Sequence, residues 1–550
     1  MTEMAPTPPN ILWITTHDIN PDLGCYAGVW PGAEYAHTPH LDALAAMGVR
    51  YDNAFSVAPV CAPSRSAIIT GMFPTAIGTM HMRSKAVPPP EVRCFSEYLR
   101  AAGYYCTNNA STDYQFPTPV TAFDAFGPQA HWRNRPDPSQ PFFATFHGTL
   151  THESQIHAND VQFEKQTIPL TPPDRHDPAN APLPPYYPDT PVFRQAWARY
   201  ADLITATDYW VGDLLRQLEE DGLAETTLVV FWSDHGAGFP RAKRYPYESG
   251  LHEPLIVRWP GRLPSGTART DLVYLMDLAA TMLVVAGVPI PDHMHAQPLF
   301  DAHGRLHATP RQYLFGHRDR MDEQEDTIRT VRDQRFRYLR NYHPDRPYLQ
   351  HHEYADQMST WRELRRLRFE EANQLAIGQM PSLLTPTQRH FVATTKPLEE
   401  LYDLLTDPHE TNNLADDPTY ADDLQRLRRA LKEWQQTYGD LGLLTEAELL
   451  ARWWPNGEQQ ITTAPAIQLT DGRVVAVCAT AGASIGWTTD PPGDMQASSV
   501  FSRIAGDPDT GGRRWNLCSQ PFIPNPGVTM WFRAQRLGYR ASQDIAFRVE

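Results

Sequence analysis

Two largely apolar segments of strand length each lead directly into an acidic residue, and this pairing most restricts the fold. Residues 10–16 precede Asp18, and residues 227–232 precede Asp234. Continuous apolar segments are typical of strands buried on both faces of a sheet, and ligands of open α/β sheets collect beyond the carboxyl ends of the strands. The sequence therefore predicts an α/β fold in which the two carboxylates share a site for a hard cation. Either aspartate alone would equally suit a cap or a turn.

The segment Cys61-Ala62-Pro63-Ser64-Arg65 lies between these two strands. Pro63 suits the first turn of a helix, residues 64–70 have a helical pattern, and Gly71 is a suitable residue to end it. Cys61 is therefore expected at a helix N-terminus, where free N–H groups favour an anion such as sulfate or phosphate. Arg65, one turn into the helix, could reach the same site. A buried structural cysteine beside a turn is the alternative for this segment alone.

A cysteine followed two residues later by Pro-Ser-Arg resembles the signature of the type I sulfatases, the formylglycine-dependent sulfatases of the alkaline phosphatase superfamily. The likeness is strongest to bacterial arylsulfatases and to members similar to heparan N-sulfatase. The resemblance implies that a maturation enzyme converts Cys61 to formylglycine. It also implies that the hydrated aldehyde attacks the sulfur of a small-molecule sulfate ester, so that an arylsulfatase-type activity is expected.

The resemblance further implies one divalent cation, with Ca²⁺ expected first and Mn²⁺ or Mg²⁺ as alternatives. Asp18, Asp234 and His235 match the family's metal ligands, and position 61 contributes to the same set. His17 stands where the family carries another acidic residue. We retain His17 as a candidate ligand, although an imidazole adds no negative charge and the site should hold hard ions less tightly.

Further catalytic residues are implied by the same resemblance. Lys243 matches the lysine that contacts the sulfate and the leaving oxygen, and His152 matches the histidine near the leaving group. Either side chain would protonate the departing oxygen, while Arg65 would hold oxygens of the sulfate. His252, which follows Lys243 in a similar segment, is a candidate substrate contact.

One departure from the family pattern removes positive charge. Ser111 and Asp113 occupy places where the family carries a lysine and a histidine. Arg83 and His81, in the loop after the nucleophile helix, could supply substitute charge to the substrate. The departure keeps a second activity open, hydrolysis of phosphonate monoesters or phosphodiesters with the same nucleophile. An alternative of another class is a non-catalytic binding protein in which Cys61 stays a thiol.

The chain of 550 residues is long enough for several domains. We predict a catalytic α/β domain over 1–310 with a large mixed β-sheet sandwiched by helices, alkaline-phosphatase-like in architecture. A smaller C-terminal α+β subdomain with an antiparallel sheet and helix should follow over 311–450. Short alternating strands with Gly and Pro turns predict an appended immunoglobulin-like β-sandwich over 460–550. Its role could be packing or dimer formation, so a homodimer is one expectation, or carbohydrate binding.

The composition of the chain mainly argues against certain classes of binding partner. A net charge of −16 disfavours nucleic acid. The sequence contains no apolar segment long enough to span a membrane and no basic, apolar leader. We therefore expect a cytoplasmic location and no membrane association. Six cysteines without metal-ligand spacing fit reduced thiols better than a disulfide framework.

Overall fold

The computed structural model describes residues 8–109, 112–306, 310–492 and 507–549. Its largest element is a nine-stranded mixed sheet. The strands are β1 (Asn10–Thr16), β2 (Val49–Phe55), β3 (Tyr105–Asn109), β4 (Ala125–Phe126), β5 (Phe142–His147), β6 (Thr227–Ser233), β7 (His252–Arg258), β8 (Thr267–Arg269) and β9 (Val273–Tyr274). They run in the order β4-β3-β5-β1-β6-β7-β2-β8, and β9 pairs with β2.

Helices cover both faces of this sheet. They are α1 (Pro39–Ala46), α2 (Cys61–Thr70), α3 (Pro74–Ile77), α4 (Phe95–Ala101), α5 (Glu153–Ile156), α6 (Asp160–Gln166), α7 (Pro191–Glu220), α8 (Glu248–Leu251) and α9 (Asp277–Val285). Side chains alternate along β1, so Ile11 and Trp13 pack with α2, α4 and α9, whereas Leu12 and Ile14 pack with α1 and α7. The predicted α/β fold with a mixed sheet between helices is confirmed. No described helix has a stretch long and apolar enough to cross a bilayer.

Three neighbouring parallel strands determine where the polar residues meet. β1 lies between β5 and β6 and is parallel to both. Thr15 pairs with His147 and Thr16 pairs with Ser233, so the three strands end at the same edge. The residues that follow β1 and β6 therefore lie side by side, although more than 200 positions separate them in sequence.

The second region contains a four-stranded antiparallel sheet, in the order β10-β11-β12-β13. Its elements are β10 (Leu314–Arg318), β11 (Ile328–Arg332), β12 (Phe336–Asn341), β13 (Glu399–Asp403), α10 (Ser359–Ala376), α11 (Pro386–Val392), α12 (Ala421–Tyr438) and α13 (Glu446–Trp453). The sequence predicts one helix over 358–389, but α10 ends at Ala376 because Gly378 follows with a left-handed φ of 75°. Leu427 and Trp434 of α12 join the core beneath the large sheet, so the two regions share apolar packing.

The carboxyl-terminal region holds a two-stranded and a four-stranded antiparallel sheet. Its strands are β14 (Ala466–Thr470), β15 (Arg473–Val477), β16 (Ser484–Thr488), β17 (Asn516–Leu517), β18 (Thr529–Gln535) and β19 (Ile545–Arg548). Val474, Ile485 and Phe532 from both sheets form one small core. We call this region the C-terminal module; the boundaries at 310 and 460 stay predictions.

The C-terminal module packs directly on the catalytic region. Arg100 of α4 donates from Nη2 to the carbonyl oxygen of Trp515 at 2.6 Å. Gln535 donates from Nε2 to the carbonyl oxygen of Pro117 at 3.0 Å. A Cβ on Gly482 would lie 2.0 Å from the carbonyl oxygen of Pro90, so the two backbones approach too closely for any other residue. The module is thus part of one packed structure with the catalytic region.

Candidate active site

A cluster of buried potential ligands lies beyond the carboxyl ends of β1 and β6. The ligand atoms of His17, Asp18, Cys61 and Asp234 all lie within 4.8 Å of one another. Asp18 adopts a left-handed backbone conformation with φ 53°, which is uncommon for a residue other than glycine. Its N–H donates to Oδ1 of Asp234 at 3.1 Å. The turn after β1 is therefore tied to the turn after β6.

Cys61 enters this cluster as the first residue of α2. Val60 before it is extended, with φ −158° and ψ 150°, and the helix begins at Cys61 as predicted. Ser64 Oγ donates to the carbonyl oxygen of Asp234 at 2.6 Å and so fixes the helix start against the turn after β6. Burial raises the pKa of the Cys61 thiol well above its usual value, and Asp234 and Asp18 act in the same direction. An unmodified Cys61 is therefore a poor nucleophile here.

His235 presents an unprotonated nitrogen to the cluster. Its Nδ1 lies 3.0 Å from the carbonyl oxygen of Gly236. A carbonyl oxygen only accepts hydrogen bonds, so Nδ1 carries the proton and Nε2 keeps its lone pair. That Nε2 lies 3.2 Å from Oδ1 of Asp18 and 3.2 Å from Sγ of Cys61. The backbone contact holds the ring in the tautomer that binds a cation.

His17 is held in the opposite tautomer. Arg65 Nη1 donates to Nδ1 of His147 at 2.9 Å, so the His147 proton lies on Nε2. His147 Nε2 is 2.6 Å from Nε2 of His17, which must accept, and this places the His17 proton on Nδ1. His17 Nδ1 lies 3.0 Å from Oδ2 of Asp234. The pair has ion-pair distance without hydrogen-bond geometry, so Nδ1 of His17 is a buried atom that has no hydrogen-bond partner among the described residues. It could ligate a cation only after losing its proton.

The cluster fits a divalent cation. Asp18 and Asp234 supply two buried carboxylates, and His235 supplies a free lone pair. Carboxylate oxygens suit Ca²⁺, Mg²⁺ and Mn²⁺, and an imidazole nitrogen is tolerated best by Mn²⁺ among these ions. These three residues would hold the ion beside position 61. His17 as a ligand stays a prediction.

Replacing His17 with aspartate should raise the affinity for calcium, because a carboxylate there adds negative charge and needs no deprotonation at neutral pH. Calcium titration of the metal-stripped His17→Asp protein, compared with wild type, measures the effect. His303→Asp is the matched control, since His303 is an exposed loop residue that gains the same charge. Unchanged affinity in His17→Asp would mean that position 17 does not face the ion.

Lys243 lies at the other side of the cluster. Its Nζ is 2.8 Å from Oδ2 of Asp18, 3.1 Å from Oε1 of Glu153 and 3.5 Å from Nε2 of His152. Burial alone would lower the pKa of Lys243, but the carboxylates of Asp18 and Glu153 raise it well above its usual value. Burial and the Lys243 charge lower the pKa of His152 to about 3. Lys243 is thus the protonated member of the pair, and His152 is neutral.

A pocket of about 270 Å³ opens onto these residues. Cys61 and Lys243, which are buried, lie at its inner end, and His152 also lines it. Arg83, which the sequence predicts as a substrate contact, lines the pocket as an exposed residue. The remaining wall includes Met82, Asp113, Met321, Asp322 and Tyr354. Ser111, which with Asp113 departs from the family pattern, lies outside the described residues. The pocket is roomy enough for a sugar ring and carries both apolar and charged walls.

Three predicted site residues lie elsewhere. Arg65 donates from Nε to Oδ2 of Asp234 at 2.9 Å and from Nη2 to the carbonyl oxygen of Thr16 at 3.2 Å. It therefore positions Asp234. Arg65 is not among the described residues that line the pocket. His81 Nδ1 accepts from the N–H of Arg320 at 3.2 Å.

His252 also lies away from the pocket. Its Nε2 is 2.8 Å from the carbonyl oxygen of Asp52, and its ring stacks on Phe55 at 4.5 Å between centroids. Neither His81 nor His252 is among the described residues that line the pocket. The rings of both histidines instead contact backbone groups of neighbouring segments.

Three functional residues are absent from the sequence prediction. His147 is the last residue of β5, beside β1. Ligands collect at the carboxyl ends of parallel strands, and the same reasoning that predicted Asp18 could have predicted His147. Glu153 and Arg244 adjoin His152 and Lys243 in sequence. The guanidinium of Arg244 binds both oxygens of Glu153 at 2.8 Å, and this buried pair positions Lys243. No sequence pattern pairs residues that lie 91 positions apart.

Comparison with known proteins identifies the family of this chain. A family model described as sulfatase matches residues 9–288, and one described as N-sulphoglucosamine sulphohydrolase, C-terminal, matches residues 238–390. The chain is 37% identical to an ulvan-active sulfatase of Formosa agariphila, over 98% of this chain and 91% of the relative. It is 28% identical to the human N-sulphoglucosamine sulphohydrolase, over 75% of this chain and 88% of the relative.

Solved structures share the fold. A protein in complex with its substrate D-glucosamine-2-N,6-O-disulfate matches with a TM-score of 0.56 and 18% identity, over 78% of this chain and 98% of that one. A phosphonate monoester hydrolase from Silicibacter pomeroyi matches with a TM-score of 0.56 and 18% identity, over 86% and 99%. The chain therefore belongs to the type I sulfatase family of the alkaline phosphatase superfamily and is a sulfuric ester hydrolase.

Proposed function

We propose that this sulfatase removes sulfate ester groups from an ulvan-type sulfated polysaccharide or its oligosaccharides. The observation that carries the proposal is that Cys61 and Lys243 line one pocket and that Asp18 and Asp234 lie beside them. The relative that spans nearly the whole chain is named an ulvan-active sulfatase, which favours a sugar sulfate over the aryl sulfate expected from the sequence.

The proposal includes conversion of Cys61 to formylglycine and a divalent cation held by Asp18, Asp234 and His235. Calcium is the first candidate, with manganese and magnesium as alternatives. With both in place, the site would have a hydrated aldehyde as nucleophile and a Lewis acid that makes its hydroxyl more acidic. The buried thiol itself supplies no comparable nucleophile, because its pKa is raised.

The chain's own groups then bind the sulfate and handle the leaving oxygen. The N–H groups of Cys61 and Ala62, at the start of α2, have no partner within the helix and favour negative charge. Lys243 lies at the same end of the pocket and offers a cation to the sulfate oxygens. Because His152 is neutral, Lys243 is the group that donates a proton to the departing oxygen.

Two measurements on protein from its native host test the proposal. Conversion of Cys61 should lower the mass of its peptide by about 18 Da, whereas the peptide of Cys94 in the same digest should keep its thiol mass. The converted protein should release sulfate from ulvan oligosaccharides, detected by ion chromatography. A fully converted protein that releases none would contradict the proposed substrate class.

The same preparation separates two alternatives. A higher kcat/KM for phenyl phosphonate esters than for nitrophenyl sulfate would favour a phosphonate monoester or phosphodiester hydrolase. The phosphonate monoester hydrolase from Silicibacter pomeroyi has the same fold. Only unmodified Cys61 in native protein would favour a non-catalytic binding protein.

A further inference from the structure

Asp113 is a carboxylate in the pocket wall that the proposed reaction does not use. It lines the same cavity as Cys61 and Lys243. Among the residues that the structure describes, none makes a hydrogen bond or an ion pair with its side chain, which leaves both oxygens available to the pocket. Its backbone is left-handed with φ 50°, a conformation that a non-glycine residue keeps only where its surroundings hold it.

The C-terminal module supplies that support. Asp507 accepts two hydrogen bonds on Oδ1 from Thr112, one from the backbone N–H at 3.1 Å and one from Oγ1 at 3.0 Å. Thr112 is fully buried and directly precedes Asp113. A carboxylate of the module therefore holds the residue next to the pocket wall.

The charge of Asp113 acts on the reacting position. Its carboxylate is among the groups that raise the pKa of Cys61, so its field reaches the nucleophile. Burial raises the pKa of Asp113, while the nearby guanidinium groups of Arg65 and Arg83 favour its ionised form. Acidic side chains then outnumber the permanently cationic ones around the site: Asp18, Asp113, Glu153, Asp234 and Asp322 against Arg65, Arg83, Lys243 and Arg244.

We propose that Asp113, held in place by Asp507 of the C-terminal module, is a specificity-determining residue that selects monoanionic esters over dianionic ones. The inference rests on the proposed function, since it concerns the ester bound at the same nucleophile. A sulfate monoester carries one negative charge, whereas a phosphate monoester carries close to two above pH 7. A fixed carboxylate repels a dianion twice as strongly as a monoanion at the same distance. Asp113 thus disfavours phosphate monoesters and sugars with a second charge beside the reacting sulfate.

The test compares 4-nitrophenyl sulfate with 4-nitrophenyl phosphate, which share a leaving group and differ in charge, at pH 8. Asp113→Asn should lower the ratio of kcat/KM for sulfate to that for phosphate by about tenfold, mainly by improving the phosphate ester. Asp213→Asn, an exposed position on α7, is the control and should leave the ratio unchanged. An unchanged ratio in folded Asp113→Asn overturns the proposal.

A binding experiment keeps this test independent of turnover. In the Cys61→Ala background, calorimetry with phenyl sulfate and phenyl phosphate should show the same tenfold shift when Asp113→Asn is added. If the converted wild-type enzyme hydrolyses neither ester, the proposed function fails, and the binding shift still decides the role of Asp113.

A second variant tests the role of the C-terminal module. Asp507→Ala should shift the selectivity ratio in the same direction by a smaller factor, because Thr112 loses both hydrogen bonds while Asp113 keeps its charge. Asp507→Asn, which retains an acceptor oxygen, should restore most of the wild-type ratio. A lower Tm in Asp507→Ala with an unchanged ratio would show that Asp507 stabilises the fold only and would overturn its positioning role.

Discussion

Replacing Cys61 with alanine should lower kcat/KM for sulfate esters by at least about a thousandfold while the fold stays intact. Cys61 is the first residue of α2, and its side chain points into the ligand cluster at the inner end of the pocket. Alanine preserves the helix and the backbone N–H groups, so only the nucleophile is removed. Thermal unfolding should shift by a few degrees at most.

Two further variants make the Cys61 result specific. Cys94→Ala removes an equally buried cysteine at the start of α4 and should cost stability without removing activity. Cys61→Ser should attack sulfur once, yet it lacks the second hydroxyl of a hydrated aldehyde and so should retain the sulfate. A Cys61→Ala protein with more than about a thousandth of the wild-type rate would contradict nucleophilic catalysis at this position.

Asp234→Asn should abolish cation binding and lower kcat/KM by a comparable factor. Asp234 receives hydrogen bonds or ion pairs from Asp18, Arg65 and His17, so its charge is fixed at the centre of the cluster. An amide of the same shape removes one of the two carboxylate ligands. Metal analysis of the purified variant measures the stoichiometry, and titration of the stripped protein measures the affinity.

The structure also changes the expected stability of this variant. For Asp234→Ala the sequence leads us to expect thermal unfolding to be only modestly lowered, but Asp234 is fully buried and pairs with Arg65, which is also buried. Loss of one partner leaves an uncompensated buried charge, at a cost of about 3–5 kcal/mol. His235→Gln is therefore a second test, since it should weaken cation binding without breaking that pair. Asp221→Asn, at a partly exposed ion pair, is the control. Unchanged cation affinity in both site variants would contradict the proposed ligand set.

Much of the fold follows from the sequence because its signals are local. Residues 10–16 and 227–232 are largely apolar, which favours burial on both faces, and the structure places them as neighbouring parallel strands. Pro63 lies in the first turn of the helix that begins at Cys61, Gly71 follows its last residue, and the predicted start agrees with the structure. The helix predicted over 358–389 extends too far, because Gly378 has a left-handed φ of 75° and a separate helix, α11, begins at Pro386.

Some of the predicted site residues lie together in the structure, and others do not. Asp18, Cys61, Asp234 and His235 follow directly from strand ends and a helix start, and the structure brings them together. His81 and His252 resemble site residues in sequence, but backbone groups from distant segments hold their rings away from the pocket. Sequence position alone does not report in which direction a histidine points.

The sequence by itself determined that Cys61 lies at a helix start, that two carboxylates follow strand ends and that the fold is a layered α/β structure, because each depends on a few consecutive residues. Only the tertiary structure decided which histidine keeps a free lone pair, since the tautomers of His17 and His235 depend on Arg65 through His147 and on the carbonyl of Gly236. The support of Asp113 by Asp507 likewise joins segments about 400 positions apart, within hydrogen-bond distance. Proton positions and fixed charges arise from such contacts, and their geometry exists only after the chain has folded.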